Sequence, residues 1–291
     1  MKQSIILILF LSINSLYSQV LISNSNEGIP DPTAMLDLVS TNKGLLPPRM
    51  TAAQRDSINN PTAGLMIYCI DCLEMQMFND TAWTNMIGLP PSVPIPTITI
   101  GSQTWMANNL DVGTMINGTT TMTNNNILEK YCYNDDPANC TTYGALYQWD
   151  EMMQYVTTAV TQGVCPTGFH LPTDDEWKTL EMHLGMTQAQ ADATGYRGTD
   201  QGSQLAGNEP LWENGNLDQN AAFGMSGFAV LPGGYRITSG SFSIQSLNAD
   251  FWSSSESGGS AWDRYLDYDD PRVNRGDYSK LYGFSVRCVQ D

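Results

Sequence analysis

The stretch Cys165–Trp177 constrains the fold more than any other part of the chain, because it fixes where a helix can begin. Pro172 disfavours helical backbone at the residue before it. Thr173 stands three residues before Glu176, the spacing at which each side chain bonds the other residue's free backbone N–H group. The sequence therefore predicts a capped helix after Thr173 that ends near Gly185.

Two apolar patterns indicate helices. Trp177, Leu180 and Leu184 recur at helical spacing after the cap and predict its buried face. A second pattern, which includes Leu146 and Trp149, predicts a helix over residues 143–155. Short strand-like runs follow residue 195, and helices followed by short strands are typical of the α+β class.

Proline divides the chain. Residues 89–96 contain four prolines and predict an extended, semi-rigid linker. The linker separates a small N-terminal module, residues 19–88, from a larger domain, residues 97–291. A segment of the first size is marginal as an independent core, whereas the second is large enough for one compact domain.

The N-terminus resembles a secretory signal. Lys2 precedes the apolar run Ile5–Leu11, and the small residue Ser18 follows, so we expect residues 1–18 to be a signal peptide. The run is too short to span a bilayer, and no other apolar run is long enough. We therefore expect an exported protein at the cell surface or outside the cell, with the periplasm as an alternative.

Charge disfavours two classes of partner. The chain has 30 acidic and 13 basic residues and a formal net charge of −17. Attraction to nucleic acid or to an anionic membrane is therefore not expected. The excess of carboxylates leaves oxygen ligands available for a hard cation such as calcium.

An exported chain with an even number of cysteines favours disulfides. The six cysteines allow fifteen connectivities, and the spacing alone does not choose among them. We expect Cys69–Cys72, Cys132–Cys140 and Cys165–Cys288. The Cys69–Cys72 pair also fits a redox dithiol or half of a zinc site, although no second ligand pair follows at zinc-finger spacing.

The N-terminal module contains strand-like and helix-like segments. Residues 34–39, 64–68 and 74–78 read as strands, and residues 51–58 as a short capped helix. This pattern resembles a module found in exported proteins of Bacteroidetes-type bacteria, which is similar to tail-fibre proteins. The resemblance implies a β-rich stalk or assembly module that forms a homotrimer.

The larger domain resembles the Fibrobacter succinogenes major paralogous domain family over residues 97–291. Six motifs carry the resemblance in order: Ile100–Leu110, Tyr143–Trp149, Cys165–Trp177, Pro232–Arg236, Phe251–Ser254 and Gly283–Val289. That family is similar to the formylglycine-generating-enzyme-like branch of the C-type-lectin-like fold. The implied fold is a twisted, mostly antiparallel sheet with two helices and long variable loops. Its ends lie close together, which agrees with a Cys165–Cys288 disulfide.

The enzymes of that superfamily need residues that this chain lacks. Formylglycine generation requires a cysteine pair near the C-terminal end, and only Cys288 lies beyond Cys165. The related sulfoxide synthases require three histidines, and the chain has two, His170 and His183. There is also no nucleophile elbow and no phosphate-binding loop. We therefore expect a non-enzymatic protein.

An acidic and aromatic tract provides the candidate binding site. If residues 263–269 form a strand, Asp263, Tyr265, Asp267 and Asp269 share one face. Asp263, Asp267 and Asp269 would then be candidate calcium ligands. A solvated strand face that leads to a turn at Pro271 is the favoured alternative, because the sequence has no Asp-x-Asp-x-Asp-Gly loop. The candidate ligand-binding residues are Asn248, Asp250, Trp252, Glu256, Asp263, Tyr265, Asp267 and Asp269.

The resemblance and the tract together favour a binding or adhesion protein. The expected ligand is a glycan or an extracellular protein, because tyrosine and tryptophan rings stack on sugars and carboxylates accept hydroxyl hydrogen bonds. One alternative is an enzyme of unknown reaction on the same scaffold. A second is a structural component of a fibre or matrix.

Overall fold

The computed structural model describes residues 20–23, 36–85 and 95–291. The expected signal peptide, residues 1–18, and most of the expected linker, residues 89–96, lie outside those ranges. The chain divides into two units, Met1–Pro94 and Ile95–Asp291. None of the helices in the described ranges is long and apolar enough to cross a membrane.

The first unit is mostly strand. Its strands are β1 (Val20–Ser23), β2 (Leu36–Val39), β3 (Arg49–Met50), β4 (Met66–Cys69), β5 (Glu74–Phe78) and β6 (Trp83–Asn85), and its helix is α1 (Ala52–Asp56). Strands β3 to β6 form one sheet in sequence order, and β1 pairs parallel with β2. The predicted pairing of residues 64–68 with 74–78 is confirmed in β4 and β5. The predicted capped helix is also confirmed, since Thr51 and Gln54 form a capping box.

The second unit combines many strands with short helices, which confirms the predicted α+β class. Its strands are β7 (Thr97–Ile100), β8 (Gln103–Met106), β9 (Thr114–Met115), β10 (Glu129–Lys130), β11 (Leu146–Gln148), β12 (Phe169–His170), β13 (Gly195–Arg197), β14 (Tyr235–Arg236), β15 (Phe242–Ser243), β16 (Asn248–Ser257), β17 (Ser260–Asp267), β18 (Asp270–Ser279), β19 (Gly283–Ser285) and β20 (Val289–Gln290). Its helices are α2 (Pro137–Tyr143), α3 (Trp149–Met152), α4 (Asp174–His183), α5 (Gln188–Asp192) and α6 (Gln201–Leu205), with 3-10 turns at Tyr133–Asp135 and Glu209–Leu211.

Two sheets organise this unit. The larger has eight strands in the order β13-β18-β17-β16-β19-β14-β15, and β11 also pairs with β19. The smaller has the order β12-β20-β8-β7, so the first hairpin and the last strand of the unit lie side by side. Most pairings in both sheets are antiparallel, and the long hairpins β16-β17 and β17-β18 form the centre of the larger one.

The predicted helix over residues 143–155 is wrong in its first half. Gly144 has a φ of 84°, which ends α2, and the next residues form strand β11. Leu146 pairs with Ser285 and Gln148 with Gly283, so a distant strand supplies the hydrogen bonds. Only Trp149–Met152 is helical. Tertiary pairing thus overrides the local helical pattern.

The predicted cap of α4 is confirmed. Thr173 and Glu176 form a capping box, and the helix ends at His183 before Gly185, whose φ is 110°. Trp177 and Leu180 are buried as predicted. They pack in a core cluster that includes Phe251, Leu266 and Val273 from the larger sheet.

A buried ion-pair network also joins α4 to the sheet. Glu181 accepts hydrogen bonds from Arg197 Nη2 at 2.8 Å and from Arg264 Nε at 2.7 Å. Asp174 pairs with Arg264 Nη1 at 2.9 Å and with Arg275 Nη2 at 2.7 Å. All five side chains are nearly or fully buried. Desolvation opposes the charge of Asp174, but the two guanidinium groups outweigh it and hold the pKa of that carboxyl well below its usual range.

The structure contains three disulfides, and none of the cysteines in the described ranges is free. They link Cys69 to Cys72, Cys132 to Cys140, and Cys165 to Cys288. The third closes a sequence separation of 123 residues and lies in a second core cluster with Tyr147, Trp252 and Phe284. It therefore joins the segment before α4 to the segment before the last strand.

Candidate functional site

The candidate site lies on one face of the larger sheet, where side chains from β13, β16, β17 and β18 form regular rows. We call this surface the acidic-tyrosine face. Its residues are Tyr196, Asn248, Asp250, Asp263, Tyr265, Asp267, Asn274, Gly276 and Tyr278. The opposite face carries Arg264, Leu266 and Arg275 and packs against α4. Strand alternation therefore separates the face that packs against α4 from the acidic-tyrosine face.

Cross-strand pairing brings the predicted residues together. Asn248 stands opposite Asp267, Asp250 opposite Tyr265, and Trp252 opposite Asp263. Side chains directly opposite each other on antiparallel strands lie on the same side and have Cβ atoms about 5 Å apart. The sequence order alone does not show that residues 248–252 and 263–267 are neighbours.

The row through Asp250 crosses four strands. Asp250 is opposite Tyr265, Tyr265 is opposite Asn274, and Asn274 is opposite Tyr196. The amide of Asn274 donates to the Tyr265 hydroxyl at 3.1 Å. The Tyr196 hydroxyl donates to Asp267 Oδ2 at 3.2 Å. These bonds hold the tyrosines in defined positions above the strands.

Two carboxyl groups are buried without full hydrogen bonding. Asp250 is 3% exposed and Asp263 is 0% exposed. Each has an Oδ2 atom that is buried and has no hydrogen-bond partner. The Oδ1 atom of Asp263 accepts from the backbone N–H of Gly276 at 3.1 Å. Buried polar atoms are nearly always paired in proteins, so two orphaned carboxyl oxygens on one face require an explanation.

Burial changes the acidity of both groups. Desolvation raises the pKa of Asp263 to about 7, against the opposing effects of Arg264 and the Gly276 N–H group. Desolvation, followed by repulsion from Asp263 and Asp267, raises the pKa of Asp250 well above its usual range. The face therefore holds protons near neutral pH and can exchange them for another positive charge.

Aromatic rings flank the two acids. The rings of Tyr196 and Tyr265 meet edge to face with centroids 5.5 Å apart. On the other side, Tyr278 contacts Phe284 and Tyr282, each with centroids 5.5 Å apart. Tyr196, Tyr265 and Tyr278 are half-buried, so part of each ring meets solvent.

Three of the predicted site residues lie elsewhere. Trp252 is fully buried: its ring packs on Phe284 at 4.3 Å, and its Nε1 donates to the Tyr147 carbonyl at 2.8 Å. It supports the face from within the core. Glu256 is exposed and pairs with Lys280. Asp269 lies in the turn after β17, where it accepts from Asn216 Nδ2 at 2.7 Å.

The expectation that Asp269 shares a strand face with Asp263 and Asp267 is wrong. Strand β17 ends at Asp267, so Asp269 does not continue its face. Asp267 Oδ1 accepts a hydrogen bond from the backbone N–H of Asp269, so this carboxylate oxygen already has a partner. Within the described ranges, the one group of three metal-type ligands is Cys69, Asp71 and Cys72, and its two sulfurs form a disulfide.

The sequence reading missed Tyr196, Asn274, Gly276 and Tyr278. The last three alternate along β18, so the period that identified residues 263–267 continues after the turn. Pro271 does not end the strand region, because it is the second residue of β18. The alternation of Asn274, Gly276 and Tyr278 after Pro271 could have identified these residues from the sequence.

The two histidines have separate surroundings. His170 Nε2 lies 2.7 Å from Glu176 Oε1, and its Nδ1 lies 2.8 Å from Asp291 Oδ1. Desolvation lowers the pKa of His170, but the two carboxylates outweigh it and raise the pKa above its usual value. His183 is exposed at the end of α4. His170 thus links α4 to Asp291.

Comparison with known families covers nearly the whole chain. Residues 98–290 match the Fibrobacter succinogenes major domain, and residues 23–99 match the phage tail like trimerisation region. No curated protein and no solved structure matches the chain. Both resemblances drawn from the sequence motifs are confirmed. Because the first match spans well over half of its residues, this chain belongs to the Fibrobacter succinogenes major domain family.

Proposed function

We propose that this chain is an exported, non-enzymatic binding or adhesion protein. Its C-terminal unit, with a C-type-lectin-like fold, recognises a glycan or a protein through the acidic-tyrosine face. The observation that carries the proposal is the pair of buried carboxyl oxygens of Asp250 and Asp263, which have no partner in the protein. A binding face of this kind needs no chemical step, and its tyrosines provide rigid contact area.

The N-terminal unit is proposed to assemble three chains. Its match to a trimerisation region is the first support. The second is exposed apolar surface: Leu45 is 64% exposed, Leu46 is 71% exposed and Leu73 is 77% exposed. Exposed apolar surface can mark a site of contact with another chain. A homotrimer would cover such residues and would present three binding faces, which increases avidity for a surface.

The binding proposal is tested with immobilised glycans and proteins. The intact chain is applied to both kinds of array beside two variants, Asp267→Asn and Asp269→Asn. Asp267 belongs to the acidic-tyrosine face and Asp269 does not, so the second variant is a matched control. Binding that Asp267→Asn weakens at least tenfold, with Asp269→Asn unchanged, supports the proposal. Binding that neither variant affects would place recognition elsewhere.

A structural fibre component is the second candidate. The trimerisation match favours it, because such regions assemble chains whether or not a ligand is bound. In that case the arrays would show no binding, and the intact chain would still form trimers.

A further inference from the structure

We propose that the acidic-tyrosine face recognises a cationic amine, whose ammonium group lies between the carboxylates of Asp250 and Asp263 and against the neighbouring tyrosine rings. This inference rests on the proposed binding function and names its ligand class. The chemistry is that of a lysine side chain or another primary ammonium group on a protein or small molecule.

The register places the two acids at a suitable separation. Asp250 is opposite Tyr265, and Asp263 is two residues before Tyr265 on the same strand. Diagonal neighbours of this type have side-chain origins about 7 Å apart. An ammonium group with two charge-assisted hydrogen bonds of about 2.8 Å fits between two carboxylates at that spacing.

The unpartnered oxygens need a donor. Asp250 and Asp263 are at least nine-tenths buried, and each keeps a buried Oδ2 without a partner. Arg264 follows Asp263 along the strand, but its guanidinium lies on the opposite face and binds Glu181 and Asp174. The protein itself therefore provides no cation to this side of the sheet among the described contacts.

The aromatic rings favour an organic cation over a metal ion. Ring faces attract ammonium groups, and Tyr265 and Tyr278 lie beside the two acids in the register. Calcium requires six to eight oxygen ligands. Among the described residues of this face, no third carboxylate oxygen lies close enough to Asp250 and Asp263 to form a group of three ligands. The net charge of −17 also attracts cations to the protein.

Binding should release protons. Burial favours the protonated form of both acids; repulsion from Asp263 and Asp267 adds to this for Asp250, and repulsion from Asp277 adds to it for Asp263, whereas Arg264 opposes it. Burial and the neighbouring acids raise the pKa of Tyr235, Tyr265 and Tyr278, so these hydroxyls stay neutral. An arriving ammonium group replaces the protons of the two acids, which pass to the buffer, while the ammonium keeps its own. Affinity therefore rises with pH through about 7, the pKa of Asp263.

The test uses a sensor surface that carries Nα-acetyl-lysine, coupled through its carboxyl group. A matched surface carries the same residue with its Nε atom acetylated, which removes the charge and keeps the length. We expect the intact chain to bind the first surface at least tenfold more tightly than the second. Asp250→Asn and Asp263→Asn should each abolish that preference, whereas Asp269→Asn should keep it.

A pH series on the unmodified chain gives a readout that does not depend on any variant. Lysine stays protonated between pH 5 and pH 8, so a loss of binding at pH 5 reports the two carboxyl groups. Equal binding to both surfaces, or binding that is unchanged from pH 5 to pH 8, would overturn the amine assignment.

Two further arms separate this inference from the proposed function. Neutral glycans that bind in an Asp267-dependent manner, with no preference for lysine, would refute the amine ligand and leave the binding function intact. Calcium chloride that raises the melting temperature only when Asp250 and Asp263 are both present would assign a metal instead. No binding to either lysine surface or to any array would refute both proposals.

Discussion

The carboxylate of Asp263 lies directly over Gly276: its Oδ1 accepts the glycine N–H at 3.1 Å, and a Cβ atom added there would lie 3.1 Å from the same oxygen. Gly276→Ala should therefore displace the Asp263 side chain and destabilise the fold by about 1–3 kcal/mol. Gly259→Ala is the control, because nothing lies within 4 Å of a Cβ at that hairpin position. Urea denaturation measures both, and equal stability of the two variants would contradict this geometry.

The stability of the protein should depend on the ionisation of Asp263. Its folded pKa of about 7 lies above the value of about 4 in the unfolded chain, so the folded state binds the proton more tightly. Its contribution to stability is complete below pH 4 and is lost as the pH rises to 7, at up to about 1.4 kcal/mol per pH unit. Asp263→Asn should flatten that dependence. Unfolding free energies that follow the same pH profile in both proteins would show that Asp263 does not titrate in this range.

The ion-pair network beneath α4 should be sensitive to the loss of one partner. Glu181→Ala leaves Arg197 and Arg264 without their shared carboxylate in a buried site, which typically costs about 3–5 kcal/mol. The control is Arg272→Ala, whose partner is Asp270 and whose side chain is 43% exposed, so its loss should cost less than about 1 kcal/mol. Chemical denaturation compares the two, and similar losses would mean that the network contributes no more than a surface pair.

The disulfides should contribute according to the length of chain that they close. Joint replacement of Cys165 and Cys288 by alanine opens a separation of 123 residues and should cost about 5 kcal/mol. The same change at Cys132 and Cys140 opens a separation of 8 residues and should cost about half as much. Guanidinium denaturation of the two variants shows which disulfide contributes more to the free energy of unfolding. The reverse order would show that effects in the folded state outweigh chain entropy.

Assembly should depend on the exposed leucines of the N-terminal unit. Sedimentation velocity of the intact chain should give a mass about three times that of one chain. Leu46→Glu should reduce that mass, because it places a charge at a residue that is 71% exposed in the single chain. Leu281→Glu is the control, since Leu281 is 49% exposed but lies in the other unit. A strict monomer at high concentration would refute the trimer.

Local signals in the sequence predicted the structure best. Thr173 and Glu176 determine the start of α4 through contacts three residues apart, and the same holds for Thr51 and Gln54 before α1. Long-range contacts were predicted less well. Asp174, in the first turn of α4, is buried against Arg264 and Arg275, which lie 90 and 101 residues away in the sequence.

In the candidate site, too, local signals predicted the structure better than they predicted long-range contacts. Alternation along β17 placed Asp263, Tyr265 and Asp267 on one face, and that placement is correct. It also placed Asp269 there, because no local signal marks the turn after Asp267. The burial of Asp250 and Asp263 depends on neighbours from β16, β18 and the tyrosine rings. A pattern along one strand carries no record of those neighbours, so Asp263 was interpreted as a metal ligand.

The smaller sheet of the C-terminal unit has a consequence for how such a domain can be used. Strand β20 pairs with β8, so the segment that enters the unit and the segment that closes it lie next to each other. A domain built this way can be joined to different carriers through one short joint without disturbing the larger sheet. Substitutions at the joint and substitutions in the larger sheet can therefore accumulate independently of each other.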